Sequence, residues 1–322
     1  MADHQRTPRG FRFVRLFLTA ALVTVAGCAR APEDPDRHSP NPRIRILLTR
    51  ATEPVLALPS GDTIHVSDEM KAFYKARFYR AAWTSRKGIH PRGQALVTAL
   101  NEADEEGLDP ADYHLKSIPV LVEQAKTDLA QDLPVGDGLG NLDLLLTEAF
   151  LRYATDIRRG TIDPSVEGLD WKVPQEDDTN TRFLIDLFKD DDLQKALAAL
   201  RPDVPFYDGL RAGLARYREV EAAGGWPSVD EGKPLKEGDK GPRVTQIRAR
   251  LLAEGDPVEV PLVQGAAAPD VYDARLAEAV VHFQDRQGLA DDGAAGEGTI
   301  RALNVPVAER VASIRLNLDR WR

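Results

Sequence analysis

The sequence predicts a mainly α protein, with a larger helical body followed by a small helical module. Three observations predict it. Apolar residues recur at helical spacing, most clearly at Leu142, Leu145, Leu146, Ala149, Phe150, Tyr153 and Ile157. Capping residues punctuate the chain, as at Ser67-Asp68-Glu69, Pro91, Asn141 and Gly160. Strand-like alternation is confined to a short early stretch containing Ile44, Ile46 and Leu48. A length of 322 residues suits two or three domains, and an apolar content of 43% is globular. The formal charge of -9 excludes the basic footprint expected of a nucleic-acid binder.

The first residues do not belong to the fold. Arg6, Arg9, Arg12 and Arg15 form a positive region ahead of an apolar run from Leu16 to Val25. That run is too short to span a bilayer, which takes about 20 residues, and has the form of a secretory signal over 1–27. Val25-Ala26-Gly27-Cys28 resembles a lipobox, the site where bacterial lipoproteins are cut and acylated. Cys28 is therefore the expected lipidation site, and the membrane an expected partner through that anchor. Ala29 rather than Asp follows it, which by the sorting rule of enteric bacteria implies the outer membrane. Cys28 is the only cysteine, so no internal disulfide or Cys-based metal site is expected. Residues 28–43, with Pro32, Pro35, Pro40 and Pro42 among charges, read as an extended tether.

The body is expected over 44–225. Two short extended pieces between Ile44 and Val66 surround the turn signal Ser60-Gly61-Asp62. Ser67 caps a helix carrying Met70, Phe73, Tyr74 and Phe78 that is expected to run to Trp83. A second helix follows Pro91, presents Leu96, Leu100 and Ala103 on one side, and stops at Gly107. Asp109-Pro110 turns the chain toward Tyr113, and Ile118–Leu129 forms a third helix. Pro134–Gly140 reads as a Gly-rich loop; no strand precedes it and its spacing is wrong for a phosphate cradle. Asn141 then caps the central core helix, which ends at Arg158-Arg159-Gly160. Further helices are expected over Arg182–Lys189, Asp192–Leu200 and Val204–Ala222, before a linker over 226–233.

The module follows over 234–304. Val244, Ile247, Leu251 and Leu252 mark one helix stripe, and Leu276, Val280 and Phe283 a second. Gly238 and Gly241 flank the entry turn, Pro242 suits the first helical turn, and Gly288 stops the second helix. The ordered series Leu235, Gly238, Gly241, Val244, Leu251, Phe283-Gln284, Gly288-Leu289, Asp292-Gly293, Thr299 and Leu303 resembles the peptidoglycan-binding domain of many bacterial cell-wall hydrolases and transpeptidases. Where that family often has a Gly-rich turn, this chain has Pro269-Asp270-Val271-Tyr272-Asp273, which keeps the aromatic and the cap. The resemblance implies a three-helix domain with peptidoglycan as its partner.

The body has a resemblance of its own. Phe73-Tyr74, Tyr79, Ala82-Trp83, the run Glu106–Tyr113, and Leu142–Ala149 with Tyr153, Asp156, Gly160 and Pro164 resemble the scaffold domain of large Gram-negative L,D-transpeptidases. The final stretch 305–322 looks like the helix that leads into that family's catalytic domain. The resemblance implies a reactive Cys preceded by a Ser-His-Gly run, with a second His nearby, and no such run occurs here. No catalytic residue, metal ligand or cofactor is therefore expected. Ser-x-x-Lys, His-Glu-x-x-His and Gly-x-Ser-x-Gly are also absent.

The acid runs Asp104-Glu105-Glu106 and Glu176-Asp177-Asp178 read as solvated surface rather than as a glycosidase pair. His282 reads as a helix-surface or core-edge residue, with hydrogen bonding to a glycan or stem peptide as the alternative. Gln284, Arg286 and Asp292 are candidates to line a ligand groove, and Trp226 in the linker to stack on a sugar. The sequence thus predicts a periplasmic lipoprotein that binds peptidoglycan without catalysis of its own. An L,D-transpeptidase cut short and an adaptor recruiting other cell-wall enzymes are the alternatives.

Overall fold

A computed structural model describes residues 36–50, 55–58, 61, 63–162, 183–185, 187–188, 192–256 and 270–322. The chain divides into Met1–Asp34 and a compact unit, Pro35–Arg322. The expectations for the signal segment, Cys28, Trp171 and Glu176–Asp178 lie outside the described residues. Within them the fold is mainly α, as the periodicity predicts, with two small antiparallel hairpins.

The central helix of the body, α5 (Gly136–Arg159), is buried along almost its whole length. It is covered by α1 (Asn41–Arg50), α3 (Pro91–Asn101) and α4 (Ile118–Ala130). The hairpin β1 (Val55–Ala57) with β2 (Thr63–His65) pairs Val55 with His65, and β3 (Thr84–Ser85) pairs with β4 (Gly88–Ile89). α2 (Asp68–Ala76) starts as expected, with Ser67 Oγ accepting from the Met70 amide at 3.1 Å. An aromatic cluster of Phe73, Trp83, Phe150 and Phe188 fills the space between α2 and α5, with adjacent ring centroids 5.1–5.7 Å apart. The rings of Phe73, Trp83 and Phe150 are fully buried, each contributing roughly 1.5–3 kcal/mol through apolar area removed from water, and Phe188 is partly buried against them.

Four expectations are corrected. Ile44, Ile46 and Leu48 lie in helix α1; Ile44 and Leu48, four apart, face the core while Ile46 is exposed. Alternation over so few residues fits either period. The described part of the expected tether is structured by packing against the start of α5: Gly136 donates to the Arg37 carbonyl at 3.0 Å, and Ser39 is buried. The helix from Ser67 ends at Ala76 rather than Trp83, because Phe78 and Tyr79 adopt φ of 55° and 60°. The Gly-rich segment is the first turn of α5. A Cβ at Gly136 would lie 2.6 Å from the Ser39 carbonyl oxygen, and one at Gly140 only 2.7 Å from the Arg43 Cβ. Gly136 admits the segment before α1 and Gly140 admits α1 itself; they do not open a loop.

Two helices connect body and module. α6 (Leu193–Ala198), capped by Asp192, precedes α7 (Pro205–Ala222). The module follows as α8 (Pro242–Glu254), α9 (Ala274–Arg286) and α10 (Glu297–Leu303), and then comes α11 (Val307–Trp321). Within the stretch 305–322, α11 runs back along α7. Gly225 lies beside Val307, Gly213 beside Ile314, and the Phe206 and Trp321 rings stand 6.0 Å apart, so α7 and α11 run antiparallel. The module is inserted between them.

Glu106 anchors this arrangement and corrects the reading of its acid run. It is only 2% exposed, and its carboxylate meets Arg201 at 2.7 Å, Arg211 at 2.8 Å and the Tyr207 hydroxyl at 3.1 Å. Arg322 adds bonds to the Tyr207 hydroxyl at 2.8 Å and to the Glu106 carbonyl. Nearby, Asp319 accepts from the Thr161 amide at 2.7 Å and the Ile162 amide at 3.1 Å, fastening α11 to the end of α5.

Candidate functional site in the small module

The module core is built from both predicted stripes. Val244, Ile247 and Leu251 meet Leu276, Val280, Phe283, Ile300 and Leu303, with Tyr272 wedged below. Leu252 is not part of it; it is 51% exposed, since its place one residue beyond Leu251 turns it about 100° away. Tyr272 donates to the Gly293 carbonyl at 2.8 Å, and Asp273 caps α9 by accepting from the Leu276 amide at 2.9 Å. Pairing of Leu235 with Ala295 and of Lys240 with Val271 closes the base.

Alongside α9 runs an open cleft of about 760 Å³. Arg275, Glu278 and His282 line it from one face of the helix, joined by Glu237 from the entry turn and Asp292 from the loop after α9. Their spacing of three and four residues, on the side away from Leu276, Val280 and Phe283, puts the polar row in one line. Three carboxylates against one guanidinium leave the walls net acidic. Such walls suit a ligand carrying amino and hydroxyl groups over an Ala277 and Val281 floor.

Asp292 is held firmly in the wall. Its Oδ1 accepts from the Ala294 amide at 2.9 Å and from the Gln284 side chain at 3.1 Å. These two bonds, the Ala294 amide first, keep its pKa below the usual carboxylate value, so it stays an acceptor. Gln284 itself is turned inward and does not line the cleft. Its nitrogen also donates to the Ala294 carbonyl at 2.9 Å and to Thr299 at 3.1 Å, while its oxygen accepts from the Gly293 amide at 2.9 Å. A buried amide must satisfy these positions, and in doing so Gln284 fixes the Asp292 side chain in the cleft wall.

The other two candidates lie elsewhere. Arg286 pairs with Asp256 at 2.8 Å and approaches Glu254 at 3.8 Å. Burial pushes the Asp256 carboxyl up, and the Arg286 charge works against that. Trp226 stands where module and body meet. Its indole nitrogen donates to the Val305 carbonyl at 3.0 Å, its ring meets Tyr217 edge-on at 5.5 Å, and the Arg250 guanidinium lies 3.9 Å over its face. Arg250 is fully buried and reaches the Leu303 carbonyl and Glu254. His282 is exposed on the cleft side of α9, consistent with the surface reading.

The structure adds Glu237, Arg275 and Glu278 to the site. The signal for Arg275 and Glu278 was the polar face opposite the Leu276 stripe. Glu237 had none, because it reaches the cleft only when Tyr272 packs the entry turn against α9.

A larger hollow of about 840 Å³ follows α7. Both of its arginines already engage carboxylates, Arg218 with Asp104 and Arg211 with Glu106.

Two family models match the chain. A family model described as "Scaffold domain" matches residues 68–214, and one described as "Putative peptidoglycan binding domain" matches residues 240–303. The chain is also similar to the N-acetylmuramoyl-L-alanine amidase CwlM of Mycobacterium tuberculosis, 44% identical over 80 residues. That likeness spans 24% of this chain and 20% of the relative's length. The chain thus combines a scaffold domain with a peptidoglycan-binding domain, and is tied to the bacterial cell wall.

Proposed function

We propose that this protein is a cell-wall scaffold lipoprotein of the L,D-transpeptidase family that grips peptidoglycan and makes no bond changes itself. The cleft beside α9 carries the reading, because Arg275, Glu278, His282 and Asp292 of the peptidoglycan-binding domain converge there. Glu237, Glu278 and Asp292 would hold amino and hydroxyl groups of a stem peptide or sugar, with Arg275 meeting a carboxylate. The sole thiol, Cys28, sits in the lipobox-like run and would carry lipid rather than act as a nucleophile. In this reading the protein faces the periplasm from the outer membrane.

Sedimentation with purified sacculi tests the binding. Wild-type protein should pellet, and the Glu278→Ala/Asp292→Ala double variant should pellet less, with about a tenfold weaker affinity for two lost polar contacts. Wild-type protein remaining in the supernatant would sink the proposal. Labelled palmitate incorporation that survives Cys28→Ser would refute the anchor. Crosslink formation by the purified chain would refute the absence of catalysis.

A further inference from the structure

α2 ends in a left-handed cap of the kind that glycine normally completes. The Tyr79 amide donates to the Tyr74 carbonyl at 2.8 Å and the Phe78 amide to the Lys75 carbonyl at 3.1 Å, the paired bonds of a Schellman motif. The residue between them, where a side chain crowds its own carbonyl, is Phe78 at φ 55°. Tyr79 follows at φ 60°, but its ring packs on the body core beneath Arg45. Phe78 receives no such return, being 83% exposed. A bulky ring thus occupies a position that favours glycine and buries nothing. Backbone strain that folding does not reward points to a use outside the fold.

Its surroundings indicate the partner's charge. Arg45 reaches the turn from α1, 5.9 Å over Tyr79, and Asn41 fixes the same turn by accepting from the Ala81 amide at 2.9 Å. Lys75 and Arg80 are exposed on either side of Phe78 in the chain. Neither Asn41–Arg50 nor Met70–Ala81 contains an acid, although the whole protein has a formal charge of -9. A single projecting ring among cations, on an otherwise acidic protein, has the chemistry of an interfacial anchor. The ring enters the acyl boundary while the cations meet phosphate headgroups. Sugar recognition would instead call for amides and carboxylates beside the ring.

We propose that Phe78, with Arg45, Lys75 and Arg80, docks the body onto an anionic lipid surface, independently of any lipid on Cys28.

The test uses the compact unit Pro35–Arg322, which lacks Cys28, with phosphatidylglycerol-containing and pure phosphatidylcholine vesicles. Wild type should co-sediment with the anionic vesicles only, and 0.5 M salt should release it through roughly 4 Å screening. Phe78→Gly should bind about tenfold more weakly for loss of the buried ring, yet melt at the same temperature or higher. Arg45→Gln/Lys75→Gln/Arg80→Gln should abolish binding, each cation being worth about fivefold. Three results would overturn the proposal: no wild-type binding to anionic vesicles, unchanged binding by Phe78→Gly, or a Phe78→Gly melting temperature several degrees lower. Loss of sacculus binding by Phe78→Gly with vesicle binding intact would equally overturn it, and assign the ring to the wall.

Discussion

Asp143 concentrates the body's polar chemistry on one side chain. It is fully buried, and its carboxylate accepts from the amides of Ala82, Trp83 and Thr84 at 2.8–2.9 Å and from Tyr74 and Thr84 hydroxyls at 2.5 and 2.8 Å. Burial pushes its pKa up, and these donors, Ala82 first, pull against that. Asp143→Ala would leave three backbone amides buried without acceptors. We expect it to cost about 3–5 kcal/mol in urea unfolding, among the larger single-site losses. Asp273 in the module shows the opposite sign. Desolvation raises its pKa, but the Leu276 amide and Arg248 outweigh that and leave it below the usual carboxylate value. A depressed acid stabilises above its unfolded pKa, and that stability is lost as pH falls through the lower folded one. Asp273→Asn keeps the cap without the titration. Its melting temperature should therefore fall less steeply between about pH 4 and pH 2 than that of wild type. The sequence made Asp273 readable, because a cap precedes its helix locally. It could not reveal Asp143, whose donors come from a turn some sixty residues away.

Among the elements, α5 and α1 show where periodicity succeeds and where composition misleads. The stripe from Leu142 to Ile157 announced α5, since a helix buried on most sides repeats its apolar residues over many turns. Its first turn was hidden by Gly136, Gly138 and Gly140, which read locally as a loop. The approach of α1 and of residues 37–39 ahead of it explains two of them. Gly138 has no atom within 4 Å of a would-be Cβ, so Gly138→Ala should stabilise by about 0.5–1 kcal/mol through helix propensity alone. Gly136→Ala, in the same helix turn, should destabilise by a kcal/mol or more, because its methyl meets the Ser39 carbonyl. Thermal melts of both variants check the pair; matching shifts would refute the close-approach account. The cleft row on α9 was half legible for a similar reason. Spacing places Arg275, Glu278 and His282 together, but only tertiary packing brings Glu237 and Asp292 to them.

At the scale of the whole molecule, Trp226 and Arg250 join body to module, and α7 with α11 forms the stem on which the module sits. Trp226→Ala removes the ring above Arg250 and the bond to Val305. Calorimetry should then resolve one cooperative transition into two, while the isolated cleft keeps its sacculus affinity; a single transition would show that the stem alone suffices. The return of α11 could not be read from the sequence, because chain order places it after the module. Insertion between two antiparallel helices has a mechanical consequence. When a wall-bound module is tugged by turgor or growth, force enters both legs of the stem together, along their axes. The two legs then share that load, with Leu214 and Leu318 packed across them and Glu106 and Asp319 pinning the far end.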